Sequence, residues 1–271
     1  MRFKHFLAEE FRDEDEINDF LVNTLGIDED EFTINSDKSV SLHSDLNLDQ
    51  VHGQSLKRLP VKFKEIQGSV WICNCSLETL IGLPSSIDGS LCIINSRIKN
   101  LRYAPKQLGE DGDLVIQNNR NLISLEGCPE EVMDFNLSDN HHLKSLAGGP
   151  TKVKRNYKVD TCNGLQTIEG IATHIEKNLS LCNNRSLSSL QGIHKVVAYC
   201  GGKIDVSGNH FKSHLLGLLL VKGSKGLSYK FGGKATKVFD IIEKCRAEGK
   251  DEFDAQTEIM DDPELYPFAK L

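Results

Sequence analysis

The chain has 271 residues, of which 26% are charged and 39% are hydrophobic, a composition that is typical of folded soluble proteins and excludes a disordered or fibrous chain. Its 32 Lys and Arg residues against 39 Asp and Glu residues give a formal net charge of −7, which argues against a protein whose main task is to neutralise nucleic-acid phosphates. Neither the N-terminal segment nor the longest apolar run, residues 215–221, has the length of a signal peptide or a membrane span. We therefore expect no membrane association, and a reducing cytoplasm for the eight cysteines.

The first 48 residues combine a helical pattern with strand-like segments. In residues 3–25 apolar side chains recur at helical spacing among acidic ones, with a break around Arg12 and a stop at Gly26. Residues 32–48 alternate between apolar and polar side chains, which favours one or two short strands. We predict that residues 1–48 form an N-terminal cap of helices followed by short strands.

Residues 49–212 contain an internal repeat. An apolar-x-apolar pair returns about every 21–25 residues, a spacing inside the range of leucine-rich repeats and outside that of ankyrin or tetratricopeptide units. The pairs are Val70 and Ile72, Leu91 and Ile93, Leu114 and Ile116, Phe135 and Leu137, Tyr157 and Val159, Leu179 and Leu181, and Ile204 and Val206. We predict a strand at each pair, and a solenoid of about seven or eight repeats of about 22 residues.

Two more features recur within these repeats. A small polar or thiol side chain follows the second apolar residue by three positions, where we expect it to turn inward and hydrogen-bond to unpaired backbone groups. These ladder residues are Cys75, Ser96, Asn119, Asn140, Cys162, Asn184 and Asn209. Leucine-type core residues follow, and then in most repeats Gly-x-Pro or a relic of it. Because proline prevents a long helix at that point, we expect extended chain or short 3₁₀ turns on the outer side.

Residues 213–271 show helical patterns in place of the repeat. The amphipathic pattern of residues 235–248 predicts a helix that ends at Gly249. A second short helix is predicted for residues 252–260, before Pro263. An open stack of repeats needs polar caps at its ends, so we predict a C-terminal helical cap. The predicted fold class is α+β: a leucine-rich-repeat solenoid of short parallel strands between an N-terminal helical and β cap and a C-terminal helical cap.

The segments that flank the repeats carry a resemblance to a known family. They are residues 32–40, the pair Leu46-x-Leu48, residues 56–68 and, near the C-terminus, residues 215–223, 237–242 and 255–271. Together with the repeats that bear Cys or Asn, they closely resemble leucine-rich-repeat proteins encoded by large tailed bacteriophages, over residues 30–271. This resemblance implies a phage protein that is made inside its host, and hence a location in the host cytoplasm.

The cysteines and histidines that could bind a metal or catalyse a reaction are better explained by structural roles. Cys73 and Cys75 are not spaced like a zinc knuckle, and Cys75 is a ladder residue. His141 and His142 follow a ladder position in an exposed turn, which offers neither burial nor a positioned partner for acid–base work. No nucleophile elbow, metalloprotease helix or nucleotide fingerprint is present in the sequence. We therefore expect no catalytic residues, no metal and no cofactor, and thus not an enzyme.

A solenoid binds its partners through the concave face of its sheet, so the residues between the inward apolar pairs are informative. The early repeats present apolar groups there, including the only tryptophan, whereas later repeats present polar and charged groups. The candidate partner-binding residues are Trp71, Cys73, Cys92, Ile94, Val115, Gln117, Asn136 and Lys158. Five apolar neighbours are unusual for a solvated strand face and indicate an interaction site. Two alternatives remain: a cap element covers this patch, or the drifted repeats shift its register.

Three functions follow from these patterns. The first is a non-enzymatic phage module that binds, and inhibits or sequesters, a host or host-defence protein through the concave face. The second is a virion or homo-oligomeric structural protein. The third is a small-anion or nucleotide binder that uses the Gly/Lys segment 222–237, in which lysines lead into a predicted helix N-terminus. The lysines proposed for that site are Lys222, Lys225, Lys230 and Lys234.

Overall fold

A computed structural model describes residue 11 and residues 13–49, 56–229 and 233–271. The chain divides into two compact units, the first ending at Asp134 and the second beginning at Phe135. Each unit is built on short parallel strands that stack from one repeat to the next, so a parallel β-solenoid, as predicted, is confirmed.

The first unit begins with helical segments and continues into strands. Helix α1 spans Glu14–Asp19 and is followed by a π-helical segment, Phe20–Thr24, and a 3₁₀ helix, Glu29–Glu31. The strands are β1 (Phe32–Ile34), β2 (Val40–Leu42), β3 (Leu46–Asn47), β4 (Phe63–Ile66), β5 (Val70–Cys73), β6 (Leu91–Ile94), β7 (Leu114–Gln117) and β8 (Glu131–Val132).

Local chemistry explains where helix α1 begins. The Asp13 side chain accepts a hydrogen bond from the Glu16 backbone N–H at 2.9 Å, and acidic residues occupy the first turn, where the helix dipole favours negative charge. Helix α1 and the π-helical segment that follows it end before Gly26, as predicted. The part of the predicted helix that falls on residues 3–10 and Arg12 lies outside the described residues.

Two sheets form in the first unit. Strands β1 and β2 pair antiparallel, and β4 joins β2 in parallel. The second sheet is parallel throughout, in the order β3-β5-β6-β7. In this sheet the predicted inward pairs, such as Val70 with Ile72, are fully buried, as the period of two along a strand requires.

The second unit also contains two sheets, and both of them are parallel. Its strands are β9 (Phe135–Ser138), β10 (Lys152–Val153), β11 (Tyr157–Lys158), β12 (His174–Ile175), β13 (Leu179–Ser180), β14 (Tyr199–Cys200), β15 (Ile204–Asp205) and β16 (Leu227–Ser228). One parallel sheet runs β9-β11-β13-β15-β16. A second parallel sheet, β10-β12-β14, forms on the outer side, where the sequence predicts extended chain or short turns.

The ladder residues hydrogen-bond inside the stack, as predicted. In the first unit Ser96 N–H donates to Asn119 Oδ1 at 2.9 Å, and Asn119 Nδ2 donates to the Ile93 carbonyl at 2.9 Å. In the second, Cys162 N–H donates to Asn184 Oδ1 at 2.8 Å, and Asn184 Nδ2 reaches the Val159 carbonyl at 2.8 Å. The side chains of Asn119 and Asn184 therefore satisfy backbone groups that the turn would otherwise leave buried and unpaired.

Helices follow the repeats of the second unit. A short helix, α2, spans Ile193–Val196 within the repeats, and a 3₁₀ helix, Leu216–Leu220, comes after them. Helix α3 (Lys234–Glu248) ends at Gly249 and helix α4 spans Glu252–Met260, so both predicted helices are confirmed; a 3₁₀ helix, Pro263–Ala269, closes the unit. Within the described residues no helix combines the length and the apolar character that crossing a membrane requires.

Candidate functional site

Six of the predicted partner-binding residues lie together on the outward side of strands β5, β6 and β7. Strand pairing aligns Trp71 with Cys92 and Cys92 with Val115. It also aligns Cys73 with Ile94 and Ile94 with Gln117, two residues further along each strand. Because neighbouring strands are about 4.8 Å apart, the six side chains form two adjacent rows. We call this surface, made of Trp71, Cys73, Cys92, Ile94, Val115 and Gln117, the Trp71 face.

The side chains of the Trp71 face differ in their exposure. Trp71 is 38% exposed, although a tryptophan has much apolar surface to bury. Cys73, Ile94, Val115 and Gln117 are half-buried. Cys92 is only 4% exposed, so its thiol adds little accessible surface to the Trp71 face. The short thiol side chain stands on the middle strand, between the larger Trp71 and Val115, which explains why it has almost no accessible surface.

Sequence reasoning missed two parts of this surface. Strand β3 extends the first row, since Asn47 aligns with Trp71. A chain of side-chain hydrogen bonds runs beside the second row. In it, Asn95 Nδ2 donates to Asn74 Oδ1 at 2.9 Å and Asn74 Nδ2 donates to Asp49 Oδ1 at 3.0 Å. Asn74 and Asn95 have φ of 51° and 52°, a left-handed conformation that Asn adopts more readily than most residues. An Asn directly before the ladder residues Cys75 and Ser96 is the sequence signal that could have identified them.

The charges around the Trp71 face are negative. Strands β3, β5, β6 and β7 contain no Lys or Arg, whereas carboxylates flank the rows at Asp49 and Asp113. Burial raises the pKa of Cys92 to about 12, with further contributions from Cys73 and Asp113. Burial, followed by Asp49, raises the pKa of Cys73 as well. Both thiols are therefore protonated at neutral pH, which makes them poor nucleophiles and leaves them to act as small apolar groups.

All eight cysteines are free in the structure, and their burial predicts a labelling pattern. We expect iodoacetamide at about pH 8 to modify at most two of them in the native protein, with Cys73 and Cys182 reacting first. Burial also raises the pKa of Cys182 to about 12, so its labelling should be slower than in the unfolded chain and should accelerate as the pH rises. Mass spectrometry of intact protein and of its peptides measures this. Rapid native labelling of Cys75, Cys162 or Cys245, which are buried, would contradict the prediction.

The other two predicted contact residues, Asn136 and Lys158, belong to the second unit, where they align on strands β9 and β11. Asn136 Oδ1 accepts a hydrogen bond from Ser138 Oγ at 2.8 Å. Lys158 Nζ lies 3.8 Å from Asp160, whose carboxylate also accepts from Ser180 Oγ at 2.7 Å. Asn136 is half-buried and Lys158 is exposed, and each already has a polar partner in its own unit, which distinguishes this polar face from the Trp71 face.

The lysines proposed for an anion site differ in their surroundings. Lys222 and Lys225 are exposed beside strand β14. Lys234, at the start of helix α3, pairs with Glu264 at 3.3 Å, and Lys237 lies 3.8 Å from Asp262. Lys230 lies outside the described residues. The Glu264 carboxylate would therefore compete with an anionic ligand for the ammonium group of Lys234.

A cleft of about 880 Å³ lies at this end of the second unit, lined by residues that include His210, Lys212, Lys234, Glu264 and Phe268. Lys212, Lys234 and Glu264 place charges of both signs around it. As for metals, the described part of the chain contains no group of three or more His, Cys, Asp or Glu side chains that could hold an ion. His141 and His142 are exposed.

Comparison with known proteins finds no family model that matches the chain, and no matching curated protein or solved structure.

Proposed function

We propose that the protein is a non-enzymatic binding module and that the Trp71 face is its interface with a partner protein. One observation carries this proposal: the single tryptophan of the chain is 38% exposed on a regular strand, in a row with other apolar side chains. Tryptophan is among the residues most enriched at the energetic centres of protein interfaces. A contiguous apolar strip that is exposed on a sheet is typical of an interaction site.

The partner that we propose is a host or host-defence protein, which the module inhibits or sequesters in the host cytoplasm. This part of the proposal depends on the resemblance to leucine-rich-repeat proteins of large tailed bacteriophages. The leucine-rich-repeat class of the solenoid, and the role of the N-terminal and C-terminal segments as its caps, belong to the same proposal. Spacings of about 21–25 residues and the need to cover the ends of an open stack support them.

Trp71→Ala tests the interface. Partner proteins are captured from host cells on the wild-type chain. The affinity of each captured protein is then measured for the wild-type chain and for Trp71→Ala. We expect Trp71→Ala to weaken the interaction by at least about 2 kcal/mol, which is about thirtyfold in Kd, while the melting temperature changes little. The matched control is Ile123→Ala, which removes an apolar side chain that is 65% exposed in a loop of the same unit, and should leave the affinity unchanged.

Unchanged binding by a folded Trp71→Ala variant would contradict the proposal. Should Trp71→Ala unfold the chain, Gln117→Lys provides a second variant, because it adds a charge to the half-buried second row without removing a large side chain. A measurement of the protein's mass in solution tests the alternative of a homo-oligomer. Self-association that Trp71→Ala abolishes would show that the Trp71 face binds a second copy of the chain. The anion alternative is not supported by the pairing of Lys234 with Glu264.

A further inference from the structure

Helix α4 in the second unit has an exposed apolar side. Phe253 is 71% exposed, the largest value among the exposed large hydrophobic residues of the described chain, and Met260 is 46% exposed. Phe253 and Met260 are seven positions apart in the sequence, so they lie two turns apart, about 10 Å along the helix axis and nearly in line. Gln256 lies between them on the same side. We call the surface made of Phe253, Gln256 and Met260 the Phe253 face.

This side of the helix is held in place by the packing of its opposite side. Ala255 and Ile259 are fully buried, which fixes the rotation of the helix about its axis. Gln256 Nε2 donates to the Ala269 carbonyl at 3.0 Å, so the helix is also tied to the final segment of the chain. The Asp251 side chain caps the helix by accepting from the N–H groups of Phe253 and Asp254. Phe253 and Met260 are thus exposed on a rigid element.

The charges beside the Phe253 face are unbalanced. Asp254 and Asp261 lie on one flank of it, both exposed, and neither has a basic partner within ion-pair distance in the described part of the chain. Nearby lysines are engaged elsewhere. These ion pairs join Lys234 to Glu264, Lys237 to Asp262, Lys244 to Glu258 and Lys250 to Glu248.

An apolar stripe with an unpaired acidic flank favours one kind of partner. A nucleic acid or an anionic membrane would be repelled by Asp254 and Asp261. A helical segment with one apolar side and flanking Lys or Arg residues would bury Phe253 and Met260 and neutralise the two carboxylates, and methionine adapts well to different apolar side chains. We propose that the Phe253 face binds a basic amphipathic helical segment of a partner protein. This surface belongs to the second unit, so the proposal does not depend on the function of the Trp71 face.

A fluorescent peptide tests this inference on the full chain. The probe is a labelled helical peptide of about 14 residues, with leucine at the apolar positions of two heptads and lysine elsewhere, and its binding is followed by fluorescence anisotropy. We expect the double variant Phe253→Ala/Met260→Ala to bind at least about tenfold more weakly than the wild type. The matched control is again Ile123→Ala, which should bind like the wild type. Circular dichroism verifies that the variants fold.

Salt dependence tests the role of the carboxylates. We expect Asp254→Asn/Asp261→Asn to weaken binding several-fold at about 50 mM salt, and most of this difference to disappear at about 500 mM, since exposed charges are screened. A peptide with glutamate in place of every lysine should not bind. The inference would be overturned by equal binding of the two peptides, by undiminished binding to folded Phe253→Ala/Met260→Ala, by an absence of peptide binding, or by preferential binding to vesicles rich in phosphatidylglycerol.

Discussion

Leu181→Ala is expected to lower the free energy of unfolding by about 2–5 kcal/mol. Leu181 is fully buried next to strand β13, its N–H donates to the Asp205 carbonyl at 2.8 Å, and its own carbonyl accepts from the ladder residue Asn209. The next layer of the stack is thus fixed to Leu181 by two hydrogen bonds and cannot readily collapse into the space that the side chain leaves. The expected loss is therefore that of a cavity that persists.

Urea denaturation measures this loss, with Leu137→Ala as a second inward-facing leucine in the same unit. Lys212→Ala, at an exposed position of the second unit, provides the control and should change the free energy of unfolding by less than about 0.5 kcal/mol. A loss below about 1 kcal/mol for both leucine variants would mean that these positions are not packed as the structure shows.

Gly170→Ala is expected to destabilise the protein by about 2–4 kcal/mol. Gly170 has a φ of +84°, and a Cβ at this position would overlap the Leu146 carbonyl and the backbone of Ala147 in the preceding repeat. The substitution therefore adds a left-handed alanine and also forces two stacked layers apart. Since the obstacle is backbone, no side-chain rotation relieves it.

Gly192→Ala separates these two effects. Gly192 occupies the same place in the next repeat, with a φ of +73°, but a Cβ there would have no atom within 4 Å. It should cost only the strain of a left-handed alanine, about 1–2 kcal/mol. Thermal and urea denaturation of the two variants measure the difference. Equal losses for Gly170→Ala and Gly192→Ala would show that the close approach of the repeats does not limit stability.

The elements that sequence analysis predicted correctly are those that depend on local patterns. Pairs such as Leu114 and Ile116 are buried because alternate residues of a strand face the same side. Asn184 hydrogen-bonds inside the stack because its place in the repeat sets its place in the turn. Helices α3 and α4 follow from the spacing of their apolar residues and from Gly249.

Local sequence patterns could not predict which side chains are exposed to solvent or free of an ion-pair partner. Strand alternation assigns Trp71 and Cys92 to the same outward row, yet only Trp71 is exposed, because exposure depends on the size of the neighbours on adjoining strands. The ion pairing of Lys234 likewise depends on a distant partner: its ammonium group lies 3.3 Å from the carboxylate of Glu264, thirty residues further along the chain.

The sequence by itself therefore determined the repeat, the strands at the apolar pairs, the ladder and the C-terminal helices, because each follows from short-range periodicity. Only the tertiary structure decided that a second parallel sheet, β10-β12-β14, forms on the outer side, that Asn47 extends the row of Trp71, and that Phe253 is exposed on helix α4. These features arise when layers far apart in sequence stack against one another, and the strand register and the remaining accessible surface are set only by that stacking.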